Sequence, residues 1–270
     1  MKLRSSRILR ELRKGHCPTT LKLNMNDPRI VELAGLSGAS GVWLCNEHVP
    51  NDWLNLEHQV RAAKLHDLDT IVRVSKGGYS DYVKPFELDA TAIMVPMVNT
   101  ADEARRIVQM TRFYPLGKRA MDGGNMDGLF CQIPTPDYVA HTNAERFLIF
   151  QIETPEGLAN VGEIAAVPGY DILLFGPGDF SHQIGKPGQV HAPEVVAARR
   201  KVAEVARKHG KHVMTPAMLA SRADLEAEGF RIFNVGADVI SLGSAFNKLI
   251  ADFNNTAPAA KGESFYGAKP

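Results

Sequence analysis

Glu153 lies in the stretch Gln151-Ile-Glu-Thr154, and Asp179 ends Gly176-Pro-Gly-Asp179; each acid follows a run of strand-forming apolar residues. Two carboxylates that terminate consecutive parallel strands converge at one end of the sheet. There they must share a proton or bind a cation, because mutual repulsion in a partly dry site is costly. Oxygen donors without His or Cys favour a hard divalent ion such as Mg²⁺ or Mn²⁺. The plainer reading makes Glu153 a first-turn helix acid and Asp179 a loop cap, and spacing does not separate the two. Arg73 lies inside Ile71-Val-Arg-Val74. A guanidinium flanked by strand formers is partly buried and needs an anionic partner, either a substrate oxyanion or a structural carboxylate. His48 falls between a strand-like run and Val49-Pro50, in a loop where an imidazole can move a proton near neutral pH. Gly176-Pro177-Gly178 lets the backbone approach a ligand closely and offers N–H groups to a carboxylate, although ordinary turns use the same residues.

These groups need a frame that brings them together. Eight short apolar runs, 19–25, 41–47, 70–74, 92–97, 147–153, 171–177, 212–215 and 239–243, alternate with helical patterns, which predicts β/α units and a parallel sheet. Continuous rather than alternating hydrophobicity, as in Asp171-Ile-Leu-Leu-Phe-Gly176, marks strands buried on both faces. Helix punctuation lies between them. Asp27-Pro28 places a cap before a first-turn proline, Thr100-Ala-Asp-Glu103 is a capping box, and Thr154-Pro155 opens another helix. A helix over 193–209 stops at Gly210, and one capped by Ser221 ends at Gly229. Eight strands with helices between them make a (β/α)₈ TIM barrel the economical fold, with an open doubly wound sheet as the alternative. Residues 1–270 read as a single domain, core about 17–253 and tail 254–270. Two additions flank the repeat: an extra N-terminal helix over 1–15 with Ile8, Leu9 and Leu12 inward, and a long loop before the fifth strand that starts at Gly117. The segment from Thr256 onward reads as disordered or as an arm onto a neighbouring subunit.

A formal net charge of +1 gives no electrostatic footprint for nucleic acid or an anionic membrane. Cys17, Cys45 and Cys131 match neither a disulfide framework nor a zinc spacing, which fits a reducing, cytoplasmic setting. The N-terminal stretch is charged throughout and lacks a signal-peptide pattern, and no run is long enough to span a bilayer.

Five stretches, in order, resemble the HpcH/HpaI aldolase family of metal-dependent class II pyruvate aldolases, relatives of citrate-lyase-type barrels. They are Asn46-Glu-His-Val-Pro-Asn51, Ile71-Val-Arg-Val74, Ile93-Met-Val-Pro-Met-Val98, Gln151-Ile-Glu-Thr154 and Gly176-Pro-Gly-Asp-Phe-Ser181. The resemblance implies a (β/α)₈ barrel, a homo-oligomer (usually a hexamer, with an end helix exchanged between subunits), and a keto acid plus an aldehyde as small-molecule partners. It implies a divalent metal, Mg²⁺ or Mn²⁺ with Co²⁺ as a third candidate, on Glu153 and Asp179. It implies Arg73 as the enolate-stabilising residue and His48 as the acid/base, acting through water. Gln151 would contact the keto acid, and the N–H groups of Gly178 and Asp179 would hold its carboxylate.

Three positions depart from the family pattern. Cys45 stands where an Asp is usual. The Asp that pairs with the family histidine has no clean counterpart, leaving Glu87 or Asp89. The small-residue loop is here Ala120-Met-Asp-Gly-Gly-Asn-Met-Asp-Gly128. We expect that loop to fold over the mouth, with Asp122 and Asn125 contacting the hydroxylated part of the substrate; a surface loop or subunit contact is the alternative. Two other functions draw on the same residues: a CoA-thioester lyase of citrate-lyase type, and a non-catalytic barrel that binds a keto acid. No Arg-rich segment accompanies the first strand to receive a CoA phosphate.

Overall fold

The computed structural model describes residues 3–257. Its strands close a parallel barrel in chain order: β1 (Thr19–Leu23), β2 (Gly41–Cys45), β3 (Asp69–Arg73), β4 (Ala92–Val95), β5 (Phe147–Ile152), β6 (Ile172–Phe175), β7 (His212–Pro216) and β8 (Ile232–Ala237). Successive residues along each strand point to opposite faces. Val42, Leu44, Val72, Ile93, Phe150 and Phe175 therefore pack outward under the helices, while Trp43, Ile71, Met94, Ile149, Leu174 and Met214 fill the barrel. Continued two residues further, the interior register delivers Cys45, Arg73 and Gln151 to the mouth, and the same alternation in β1 turns Lys22 inward.

The eighth strand is a correction. Residues 239–243 form the start of the final helix, Asp238–Asn254, and the strand lies earlier, at Ile232–Ala237. Val239-Ile-Ser-Leu has strand composition, but the Asp238 carboxylate accepts the N–H of Val239 at 2.7 Å and starts a helix there. Asp238 also accepts from Asn24 and Met25 at 2.9 and 2.8 Å, tying the exit of β1 to the exit of β8. The true strand carries a buried polar residue, Asn234, which receives the Thr20 hydroxyl at 3.3 Å. The insertion before β5 is only partly loop, since Thr135–Glu145 is helical.

The floor is sealed by the helix Arg7–Arg13, which places Ile8, Leu9 and Leu12 against the interior layer. Gly41 makes room for it: a Cβ there would meet Ile8 Cδ1 at 2.9 Å. Asp69, fully buried at the start of β3, anchors the plug. It accepts from Ser6 Oγ (2.6 Å), Ile8 N (2.8 Å), Arg7 N (3.1 Å) and Arg4 Nη1 (2.9 Å). The final helix leaves Phe246, Leu249, Ile250 and Phe253 exposed. The expectation for the terminal tail falls, from residue 258 on, outside the described residues. Among the described residues no helix is long and apolar enough to cross a membrane.

Removing the anchor strands buried donors in the floor. Asp69→Ala is expected to cost about 3–5 kcal/mol in urea unfolding and to expose the amides of residues 7–13 to rapid hydrogen exchange. An unchanged unfolding midpoint would show that the plug does not depend on this carboxylate.

Candidate active site

In (β/α)₈ barrels the loops after the strands form the mouth. Glu153 follows β5 and is buried there. Its Oε1 accepts the N–H of Met97 at 2.9 Å, and its Oε2 accepts from Gln151 Nε2. Met97 takes a left-handed backbone conformation, φ 47°, to aim that N–H. A non-glycine residue in that region is strained, and such strain persists where surrounding structure enforces it. Burial, reinforced by the charge of Asp179, pushes the Glu153 carboxyl up to about 8, against the Met97 N–H and Arg73, which pull the other way. Gly176 is required beneath it: a Cβ would lie 2.5 Å from Glu153 Oε2 and 2.9 Å from Gln151 Nε2.

The opposite wall is cationic. Arg73 is buried, with Nε 3.0 Å from Glu47 Oε2, Nη2 donating to Cys45 Sγ at 3.1 Å, and its guanidinium carbon 4.8 Å from the Trp43 ring centroid. Lys22 lies 5.6 Å from the same centroid. Burial, with Arg73 adding repulsion, pushes its amine down to about 8. His48 is open to solvent, its side chain 59% exposed, and its Nε2 is 3.4 Å from Glu47 Oε2. Trp43, Arg73, Gln151, Gly178 and Asp179 line one small cavity that opens to solvent.

Six of the residues singled out from sequence, His48, Arg73, Gln151, Glu153, Gly178 and Asp179, thus follow or end strands at the mouth. Four others do not join them. Asp89 precedes β4 and Arg146 precedes β5, so their ion pair, shared with Lys64, lies at the floor. Glu87 ends the helix Tyr79–Glu87, which runs back from the mouth, and burial raises its carboxyl beside Arg119 and Asp127. Neither acid reaches His48, because a residue before a strand and one after it sit at opposite ends of the barrel. The acid at His48 is its sequence neighbour, Glu47.

Neither Asp122 nor Asn125 is among the residues that line this cavity. Arg119 and Asp127 pair at 2.9 Å in a buried network with Tyr138, and Arg119 stacks on Phe113 and Phe86 at 4.7 and 5.7 Å. That anchor holds the loop, and Ala120 N donates to the Tyr79 hydroxyl at 2.9 Å, at the start of the helix that follows β3. Asp122 accepts from Gly124 N at 2.8 Å and Asn125 Nδ2 at 3.4 Å, within its own turn.

Glu47, Lys22 and Trp43 escaped the sequence reading. Lys22 in Thr20-Leu-Lys-Leu23 carries the signature that identified Arg73, a cation between strand formers. Trp43 was indistinguishable from core, and Glu47 from a loop acid.

A protein-supplied pair of oxygen ligands fits a hard divalent ion: the raised Glu153 carboxyl is held opposite a second acid, and a bound cation would relieve that repulsion. Among the described residues no group of three or more His, Cys, Asp or Glu side chains gathers as a metal cage. Protein ligands would therefore leave positions open for water and substrate.

Breaking a carbon–carbon bond beside a carbonyl needs a place for enolate charge and a group that carries a proton, and the mouth of this barrel has both. The class is that of barrel-fold carbon–carbon lyases. The HpcH/HpaI aldolase/citrate lyase family model matches residues 19–245, and the chain belongs to that family. It is 31% identical over 270 residues to a hydroxypyruvate/pyruvate aldolase of Pseudomonas aeruginosa, covering 99% of this chain and 100% of the relative. It is 29% identical over 257 residues to a 2-keto-3-deoxy-L-rhamnonate aldolase of Escherichia coli, covering 93% and 95%. The structure of an HpcH/HpaI aldolase/citrate lyase family protein from Burkholderia cenocepacia superposes with a TM-score of 0.85 at 27% identity, covering 93% and 100%. The chain is an enzyme, a carbon–carbon lyase of the class II aldolase type.

The Glu153 environment makes a prediction about pH. A carboxyl whose folded pKa is raised stabilises the fold fully below the ordinary glutamate range and loses that contribution as pH rises towards about 8. Chelator-treated protein should lose stability over that window by on the order of a few kcal/mol, and Glu153→Gln should flatten the decline. Parallel wild-type and variant curves would place the titration elsewhere.

Proposed function

We propose that the protein makes or cleaves 4-hydroxy-2-keto acids, joining pyruvate to an aldehyde at the mouth formed by Glu153, Asp179, Arg73 and His48. The observation that carries this reading is the buried Glu153 carboxyl, which feels the charges of both Asp179 and Arg73, two residues that line one cavity at the mouth. Glu153 and Asp179 would hold a divalent cation, Mg²⁺ or Mn²⁺ with Co²⁺ as a third candidate, whose chemistry is to polarise the keto acid as a Lewis acid. The N–H groups of Gly178 and Asp179, in the first turn of the helix Pro177–Gln183, face a carboxylate favourably. Arg73, buried and already oriented by Glu47 and Trp43, presents positive charge where the enolate oxygen develops it. His48, exposed and beside Glu47, carries the hydroxyl proton as the carbon–carbon bond forms or breaks, directly or through one water.

The apolar face of the final helix supports a homo-oligomer, a hexamer by family resemblance, and three free cysteines support a cytoplasmic setting. A CoA-thioester lyase of citrate-lyase type shares the acid pair, but nothing at β1 answers a CoA phosphate, and no observation favours it over the aldolase.

Turnover of pyruvate with a panel of aldehydes should require added Mg²⁺ or Mn²⁺ and be abolished by a chelator. Arg73→Ala should reduce both aldol turnover and pyruvate C3 proton exchange by about 10²–10³. His48→Ala should reduce aldol turnover by roughly 10²–10⁴. Full activity after metal removal would eliminate the metal reading, and a fully active His48→Ala would eliminate its proton-transfer role.

A further inference from the structure

Two buried polar atoms, on residues that line the cavity, are left over once pyruvate's groups have been assigned. The indole Nε1 of Trp43, a side chain 2% exposed, finds no acceptor among the described residues. The carbonyl Oε1 of Gln151, 3% exposed, finds no donor among them. Gln151 is not free to turn over, because its Nε2 donates to Glu153 and so fixes the carbonyl as the remaining end. Both residues line the same cavity as Arg73, Gly178 and Asp179. Trp43 is held in place by strand pairing on both sides, with the Lys22 and Arg73 cations over its ring.

A buried donor or acceptor without a partner is costly, and in an active site it marks a position that a ligand or an ordered water completes. Pyruvate does not complete it. The carboxylate of pyruvate is assigned to backbone N–H groups and its keto oxygen to the Arg73 side, while its methyl group neither accepts from an indole nor donates to an amide carbonyl. One donor and one acceptor on the same small cavity are both answered by a single hydroxyl.

We infer that Trp43 is a specificity-determining residue: its indole N–H and the Gln151 carbonyl together read a hydroxyl on the carbon next to the keto group. The preferred nucleophile is then a 3-hydroxy-2-keto acid. The inference rests on the aldolase reading and narrows its substrate class. In the reaction C3 of the hydroxy keto acid loses one proton, and the electron pair left behind forms the bond to the aldehyde carbon. The aldehyde oxygen takes up a proton, giving a 3,4-dihydroxy-2-keto acid with no oxidant or reductant consumed.

The test compares hydroxypyruvate, pyruvate and 2-oxobutanoate (a methyl in place of the hydroxyl) as nucleophiles with one aldehyde at saturating Mn²⁺. A site built to bond a hydroxyl rejects an analogue lacking it, so wild-type kcat/KM should favour hydroxypyruvate over 2-oxobutanoate by about 10² or more. Trp43→Phe keeps an aromatic ring beside Arg73 and removes the donor; it should lower that ratio by roughly 10-fold or more. A wild-type ratio near one, a preference for pyruvate, or a ratio unmoved in Trp43→Phe would overturn the inference. So would a Trp43→Phe effect confined to the choice between hydroxylated and plain aldehydes, which would put the hydroxyl on the other substrate. Should Trp43→Phe fold poorly, the wild-type ratio decides alone. Absence of turnover with every keto acid and aldehyde would instead defeat the aldolase reading, and the inference with it.

Discussion

The mouth is organised around one buried guanidinium. Arg73 sits on the inner face of β3, and a charge taken out of water at that depth must be met by fixed partners. Glu47 supplies a carboxylate at 3.0 Å, Cys45 a weak sulfur acceptor at 3.1 Å, and Trp43 an aromatic ring at 4.8 Å. Each partner is in turn committed. Glu47 also faces His48, Trp43 also carries Lys22, and Lys22 has its amine pushed down partly because Arg73 is there. The guanidinium proposed to meet negative charge in the reaction thus orients its neighbours beforehand, which is how preorganised electrostatics work.

Two ends of the same barrel treat charge in opposite ways. At the floor, acids are surrounded by donors: Asp69 holds the plug helix, and Asp89 is matched by Lys64 and Arg146, which keep its carboxyl below the ordinary range despite burial. At the mouth, Glu153 is pushed in the reverse direction, and Met97 bends into a left-handed conformation to reach it. A sealed floor whose buried acids are paired lets the other end carry repulsion and strain without unfolding the barrel. Such unmatched charge concentrates at sites that bind or react.

Cys45, at the end of β2, gives Arg73 a polarisable acceptor, and Glu47 gives it a carboxylate. The aromatic and ammonium groups of Trp43 and Lys22 fill the interior beside it. The polar surface seen by a substrate is therefore this chain's own, on a frame it shares with its relatives.

Most of the frame was legible in the chain itself. Continuous apolar runs, the Thr100 and Ser221 caps, Pro28 at a helix start and Gly229 at a helix end are local signals, and local signals survive without knowledge of neighbours. The same strand pattern placed Arg73, His48, Gln151, Glu153 and Asp179 at or just beyond strand ends, where the structure has them. What failed depended on long-range partners. Residues 239–243 have strand composition but belong to a helix that opens at Asp238, an acid in its first turn that also holds the end of β1. The anchor of the loop that carries Asp122 and Asn125 is likewise long-range: Arg119 pairs with Asp127 and stacks on Phe86 and Phe113. Asp89 was offered to His48 although it opens a strand and therefore lies at the floor. Periodicity specifies which face a side chain takes, so the sequence determined the barrel and the inward turn of its charged residues. Which of those residues touch is set by the closure of eight strands into a ring, and only that closure brought Glu47 to Arg73 and Asp179 to Glu153.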